Sequence, residues 1–297
     1  MSVISETILP VTHDLGAFAV RRILPSRKRA MVGPFIFVDA FGPAELEVGA
    51  DMGVRPHPHI GLATVTYLFA GAVDHRDSLG TFQTIYPGEV NLMTAGKGIV
   101  HSERSPESEI GKISPMFGMQ TWLALPDGKE EIDPAFENVG ADALPLIEDA
   151  GTSARVIMGD LWGQSAPTTC HSPTIYADIM LGAGGTIPID SDADERALVL
   201  VEGDVAIAGM PMEMFTLYIL APGEKPKLES ISGGRAMLLG GAPIGSSRHI
   251  WWNFVSSSNE RIKQAQADWN AGRFPKVPGD EEEFIPIPDV PLTRGQS

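Results

Sequence analysis

The chain holds one cysteine, Cys170, among its 297 residues. An internal disulfide is therefore excluded, and a cysteine-built iron-sulfur or structural zinc site is not expected. Basic residues are also few, with 22 Lys and Arg against 38 Asp and Glu and a formal charge of -16. That balance argues against direct binding of nucleic acid and against docking on anionic membrane. Long apolar runs are missing as well: stretches such as Ala197 to Val201 and Leu217 to Ala221 fall far short of the roughly 18 residues that a membrane span needs. Met1 to Ala17 carries Glu6, Pro10 and Asp14 where a secretory leader would need an apolar core. The expectation is a soluble, cytoplasmic protein. The charge is unevenly placed: Arg21, Arg22, Arg27, Lys28 and Arg29 fall near the start, where Glu6 and Asp14 are the acidic groups. We read this tract as a solvated hairpin turn, with a patch for a protein partner as the alternative.

What the sequence has in plenty is glycine and proline, 32 and 24 residues, well above the roughly 12% of average usage. Many short elements joined by tight turns follow from that, and the length suits two domains. From Phe35 to Leu123, β-type runs alternate with Gly and Pro, among them Ala63–Phe69, Gln83–Tyr86 and Glu89–Met93. A polar, turn-rich tract follows, and the strand rhythm then resumes with Thr174–Leu181, Ala197–Val201, Phe215–Leu220 and Arg235–Leu239. The second half repeats the first in pattern, with Pro87-Gly88 and Pro222-Gly223 as equivalent turns. Ser257-Ser258-Asn259-Glu260 has capping-box spacing and opens one helix over about 258–271. The acidic run Asp280 to Glu283 reads as a solvated tail. The expected division is 1–130 for a first barrel, 131–165 for a polar connector, and 166–297 for a second barrel plus the helix.

The chemistry concentrates in two short motifs. Arg55-Pro56-His57-Pro58-His59-Ile60-Gly61 carries two histidines two residues apart, and His101-Ser102-Glu103 repeats the spacing with a carboxylate. In a strand, residues two apart share a face, so each pair projects to one side. Facing one another inside one barrel, the pairs supply four ligands, His57, His59, His101 and Glu103. Three imidazoles and one carboxylate suit a borderline divalent ion such as Fe, Ni, Cu, Mn or Zn. The competing reading, histidines bonded to backbone at strand ends, leaves the crowding of Pro and Gly around both pairs unexplained.

These motifs belong to an ordered series: Gly33-Pro34-Phe35 with Asp39 and Gly42, the 56–61 motif, His75-Arg76-Asp77-Ser78-x-Gly80, Pro87-Gly88, and Met93 to Glu103 with Gly96-Lys97-Gly98. The series resembles the pirin family of the cupin superfamily over residues 16 to 125, and more loosely thereafter through Gly240-Gly241-x-Pro243 and Asn253-Phe254. The resemblance implies an all-β bicupin, two antiparallel jelly-roll-like barrels with a short C-terminal helix. It implies one divalent metal, usually iron as Fe2+, held in the first barrel by His57, His59, His101 and Glu103, and none in the second. It also implies a 2,3-dioxygenase that opens quercetin or a related flavonol with O2, with Glu103 as both ligand and base. The alternative it carries is an iron-dependent redox-sensing regulator that binds a transcription factor or metabolic enzyme. His75 and Asp77 are expected in a hairpin turn away from the metal, Gln120 and Trp122 on one strand face, Phe35 and Asp39 as braces near the site, and Cys170-His171 as structural.

Overall fold

A computed structural model describes residues 2–14, 18–48, 50, 52–149 and 151–289. Among these the strand ladders are antiparallel, and Asn259–Asn270 is the one α-helix. The chain forms two compact units. One gathers Met1–Val11, Arg21–Phe37 and Val139–Pro243, the other Thr12–Val20, Val38–Asn138 and Ile244–Ser297.

The first unit is built on a seven-stranded sheet ordered Ile4–Ile8, Leu217–Leu220, Glu195–Gly203, Gly234–Gly241, Thr174–Leu181, Thr152–Met158 and Leu146–Asp149, with a four-stranded sheet beside it. β-Branched and leucine side chains such as Ile179, Leu198, Leu228 and Leu238 fill its core. At about 1.5–3 kcal/mol for each large apolar side chain fully buried, that core dominates the unit's stability.

The second unit holds most of a seven-stranded sheet in the order Ala135–Val139, Val90–Thr94, Leu62–Ala70, Ser114–Ala124, Phe35–Leu46, Ala19–Leu24 and Val11–Asp14. Its four-stranded sheet runs Val54–His59, Ile99–Arg104, Val73–Asp77 and Phe82–Ile85. The inner faces of these two sheets change character along their length. At one end Leu68, Phe41 and Met116 pack on Val73 and Ile85. One pleat on from Leu68, Thr66 stands opposite Gln120 and Asn91, and a further pleat brings Thr64 opposite Trp122 and Met93. Across from them the alternation that buries Val73 also turns His75 and Asp77 inward. The interior therefore grades from an apolar plug to a polar chamber.

Several expectations are redrawn. The 1–130, 131–165 and 166–297 division gives way to interleaved units, because Ile4–Ile8 pairs with Leu217–Leu220 and the terminal helix packs Ile262 and Ala265 on Ile60 and Phe254. The connector carries ordered strands from Ala135–Val139 to Gln164–Ser165. Pro87-Gly88 and Pro222-Gly223 both close turns, yet the first precedes the inner strand Val90–Thr94 and the second follows Leu217–Leu220, so they are not equivalent. The helix is capped one residue later than the box predicts, by the Ser258 hydroxyl accepting from Arg261 N–H at 3.3 Å. Asp280 and Glu283 leave the solvated run to bind Arg104 at 3.0 and 2.6 Å. In the basic tract Arg29 pairs with Glu195 and Glu6, while Arg21 and Arg22 lie over the rings of Phe215 and Phe37. Phe35 packs edge-on against Tyr176 in the first unit. No helix among the described residues is long and apolar enough to cross a membrane.

Gly61 sets the exit of the His57–His59 strand. It has φ +68°, and a Cβ there would lie 1.9 Å from the Val255 carbonyl oxygen. Its N–H donates to Gly96 O at 2.8 Å, and its carbonyl accepts from Leu125 N–H at 3.1 Å. Left-handed backbone costs a non-glycine residue about 1–2 kcal/mol before any clash. Gly61→Ala is expected to destabilise the protein by at least about 2 kcal/mol, read as a lower midpoint in urea denaturation.

Candidate metal centre

The pairing of Val54–His59 with Ile99–Arg104 puts His57 directly opposite His101, with His59 opposite Ile99. Alternation then turns His57, His59 and His101 into the same chamber. Their rings form a near-equilateral triangle, with centroids 4.9, 4.4 and 4.9 Å apart. One ligand atom from each lies within 4.8 Å of the other two. All three are buried, at 7%, 1% and 1% exposure. His59 meets Trp122 edge to face with ring centroids 5.1 Å apart, so Trp122, expected only to share a strand face with Gln120, is a wall of the centre.

Burial decides the charge state. Desolvation drives the His57 pKa down to about 4, with its bond to the Arg55 backbone opposing and His75 adding a small repulsion. His59 and His101 are likewise held well below the usual histidine range, first by desolvation and then by mutual repulsion. The imidazoles are neutral at physiological pH, the form that binds metal.

Their orientation fits a cation as well. The His57 Nδ1–H donates to the Arg55 carbonyl at 2.9 Å, which leaves the Nε2 lone pair free. Nε2 of His59 and Nε2 of His101 stand 3.1 Å apart. Two imidazole nitrogens about 2.1 Å from one ion and at right angles to each other would be separated by about 3 Å. The donor set, all nitrogen and no sulfur, suits a first-row divalent ion.

Glu103 is two residues beyond His101 on the same strand, buried at 6% exposure. Burial alone pushes its carboxyl up to about 7. Its carboxylate lies outside the three-histidine group, because the ladder shifts register between His101 and Glu103 and sets Glu103 opposite Val54. A cation in the chamber would supply the positive charge that an ionised Glu103 needs there.

The structure also assembles residues not expected at the centre. His75 stacks on Phe136 at 4.6 Å and brings its Nδ1 to 3.4 Å from Nδ1 of His101. Asp77 does hold its own turn, accepting from the N–H groups of Leu79 and Thr81, but its other oxygen meets His75 Nε2 at 3.1 Å. The i, i+2 spacing was visible in the sequence; the diagonal reach from His75 to His101 was not. Above the histidines, Thr66 Oγ1 donates to Gln120 Oε1 at 2.6 Å and Asn138 Nδ2 to Asn91 Oδ1 at 2.6 Å.

Two antiparallel double-sheet units, one of them enclosing three convergent imidazoles, define a two-cupin protein with a site for a divalent metal. Residues 17–123 match the Pirin family and residues 176–275 match the Pirin C-terminal cupin domain. A pirin-like protein of Caulobacter vibrioides is 46% identical over 279 residues, covering 93% of this chain and 96% of that one. The crystal structure of a quercetin 2,3-dioxygenase from Acinetobacter baumannii superposes with a TM-score of 0.88 at 32% identity, covering 98% of this chain and 97% of that one. The fold is shared too with the bacterial pirin YhhW of Escherichia coli, solved in complex with nickel(II), at a TM-score of 0.64 and 19% identity over 80% of this chain and 99% of that one. The chain belongs to the pirin family.

Removing one imidazole from a three-histidine centre removes a ligand and leaves a gap in a dry wall. His57→Ala, His59→Ala and His101→Ala are each expected to weaken divalent-metal binding by two orders of magnitude or more, on the order of 3 kcal/mol. Titration against a competing chelator measures it.

Proposed function

We propose that the protein is a metal-dependent dioxygenase that opens quercetin or a related flavonol with O2, its metal held by His57, His59, His101 and Glu103. The observation that carries the reading is the convergence of three buried neutral imidazoles, with Nε2 atoms of His59 and His101 3.1 Å apart. The A. baumannii quercetin 2,3-dioxygenase, at 32% identity over nearly the whole chain, supplies the reaction class. Fe2+ is the ion we assign, within a ligand set that Ni, Cu, Mn or Zn would also accept.

A ferrous ion held by His57, His59, His101 and Glu103 would supply the redox chemistry toward O2. The remaining work falls to this chain's side chains. The 3-hydroxyl of a flavonol must lose its proton before its electron-rich form meets oxygen, and Glu103, two residues beyond His101 on the same strand, accepts that proton at its carboxylate. Trp122, edge-on to His59, offers an apolar surface for an aromatic ring. The polar row above the histidines suits a hydroxylated ligand: the buried Asn91 Nδ2 has no hydrogen-bond partner among the described residues, and a buried donor left unpaired costs about 1–3 kcal/mol until something accepts from it. A flavonol hydroxyl or carbonyl is such an acceptor. The apolar end of the barrel excludes water from the reacting centre.

Glu103→Gln keeps the shape and an oxygen donor but cannot take up the proton. It is expected to retain most of the metal and to lose quercetin turnover by about 10²–10⁴-fold. Metal analysis of the purified variant, followed by anaerobic addition of quercetin and then oxygen, gives both readouts. Unchanged turnover would sink the base assignment; metal-loaded wild type that leaves the flavonol spectrum unaltered would sink the activity.

A further inference from the structure

We propose that His75 and Asp77 are positioning residues that fix which nitrogen of His101 faces the metal, through a carboxylate–imidazole–imidazole relay. The inference rests on the reading of His57, His59 and His101 as metal ligands, and goes beyond it by assigning a task to two side chains that supply no ligand atom.

The argument is one of donors and acceptors. Asp77 is wholly buried, and His75 and His101 are 3% and 1% exposed, so water does not stand in for missing partners. One oxygen of Asp77, Oδ1, is taken by the N–H groups of Leu79 at 2.9 Å and Thr81 at 3.1 Å. Its Oδ2 is 3.1 Å from His75 Nε2. A carboxylate only accepts, so Nε2 of His75 carries the hydrogen. In a neutral imidazole the other nitrogen is then a lone pair, and His75 Nδ1 can only accept. It faces Nδ1 of His101 at 3.4 Å, at the long end for such a bond. His101 Nδ1 must be the donor. Its hydrogen is thus committed to the side away from the centre, and the lone pair is left on Nε2, the atom 3.1 Å from Nε2 of His59.

The surrounding structure holds this chain of bonds in place. Asp77 pairs with His101 across the ladder and His75 with Glu103, so His75 reaches His101 diagonally along the same sheet face. Phe136 stacks on the His75 ring at 4.6 Å with 23° between planes, which stops the ring from turning. His57 is oriented differently, by a single bond from its Nδ1–H to the Arg55 carbonyl. One ligand is thus set by its own strand's backbone and another by a side-chain relay that begins at a hairpin turn.

Asp77→Asn is the discriminating variant because it keeps size and shape. The amide oxygen can still accept from Leu79 and Thr81, but the amide nitrogen now presents a donor to His75 Nε2. That reverses the relay: His75 Nε2 becomes the acceptor, its Nδ1 the donor, and His101 is left with its hydrogen on Nε2, facing the centre. Outer-shell partners of metal-bound histidines typically contribute 10–100-fold in metal affinity. We expect Asp77→Asn to weaken Ni2+ binding by about that factor in chelator competition, with the thermal midpoint of the metal-free protein as the check on folding. In metal-free wild type, nitrogen-15 NMR of the histidine rings should find His101 protonated at Nδ1. In Asp77→Asn the proton should move to Nε2. Wild type that binds no Ni2+ would refute the metal site and leave the relay to the tautomer measurement. Wild type with His101 protonated at Nε2, or Asp77→Asn with unchanged affinity and tautomer, would overturn the relay. The wild-type spectrum decides the matter even if the variant fails to fold.

Discussion

The pairing of Val54–His59 with Ile99–Arg104 is the constraint on which the rest depends. It sets His57 against His101, and a slip of one residue would turn His57 and His59 away from the face that His101 shares. Gly61 ends the first strand in a conformation that only glycine adopts cheaply. Arg104, at the end of the second, is held by Asp280 and Glu283. Burial then makes the geometry chemically useful. By keeping the imidazoles neutral and pushing the Glu103 carboxyl upward, the dry chamber creates a set of lone pairs that lacks a positive charge.

Much of this was legible in the sequence because strands report their faces with period two. His57 with His59, and His101 with Glu103, advertise shared faces wherever they are extended, and the Gly and Pro around them mark the turns. The three-histidine cluster follows from that pattern together with the antiparallel rhythm. Individual strands could be read from apolar runs such as Thr174–Leu181, which the structure realises residue for residue.

What the sequence hid depends on diagonal contacts and on chain exchange, neither of which has a local signal. His75 was visible as one member of an i, i+2 pair, but its approach to His101 depends on how two ladders are staggered. Trp122 could have been core on either face of its strand; only the stacking of the two sheets sets it against His59. The acidic run 280–283 reads as solvent-facing until Arg104, far back in the chain, is brought beside it. Likewise the tract 131–165 is polar where Ala135–Val139 and Leu146–Asp149 lie at sheet margins and leave most of their residues exposed or half-buried. Its polarity marked an edge, and it was read as a linker.

The pairing of Ile4–Ile8 with Leu217–Leu220 has a consequence for how the chain is made. During synthesis this strand waits through more than two hundred residues for its partner. Until Leu217–Leu220 emerges, Ile4–Ile8 lacks its partner strand, and the sheet they share is incomplete. The barrel with the histidines is in a similar position, since the helix that packs on Ile60 is also made late. Neither half of the gene encodes a self-sufficient half of the protein. Each unit is assembled from segments far apart in the chain.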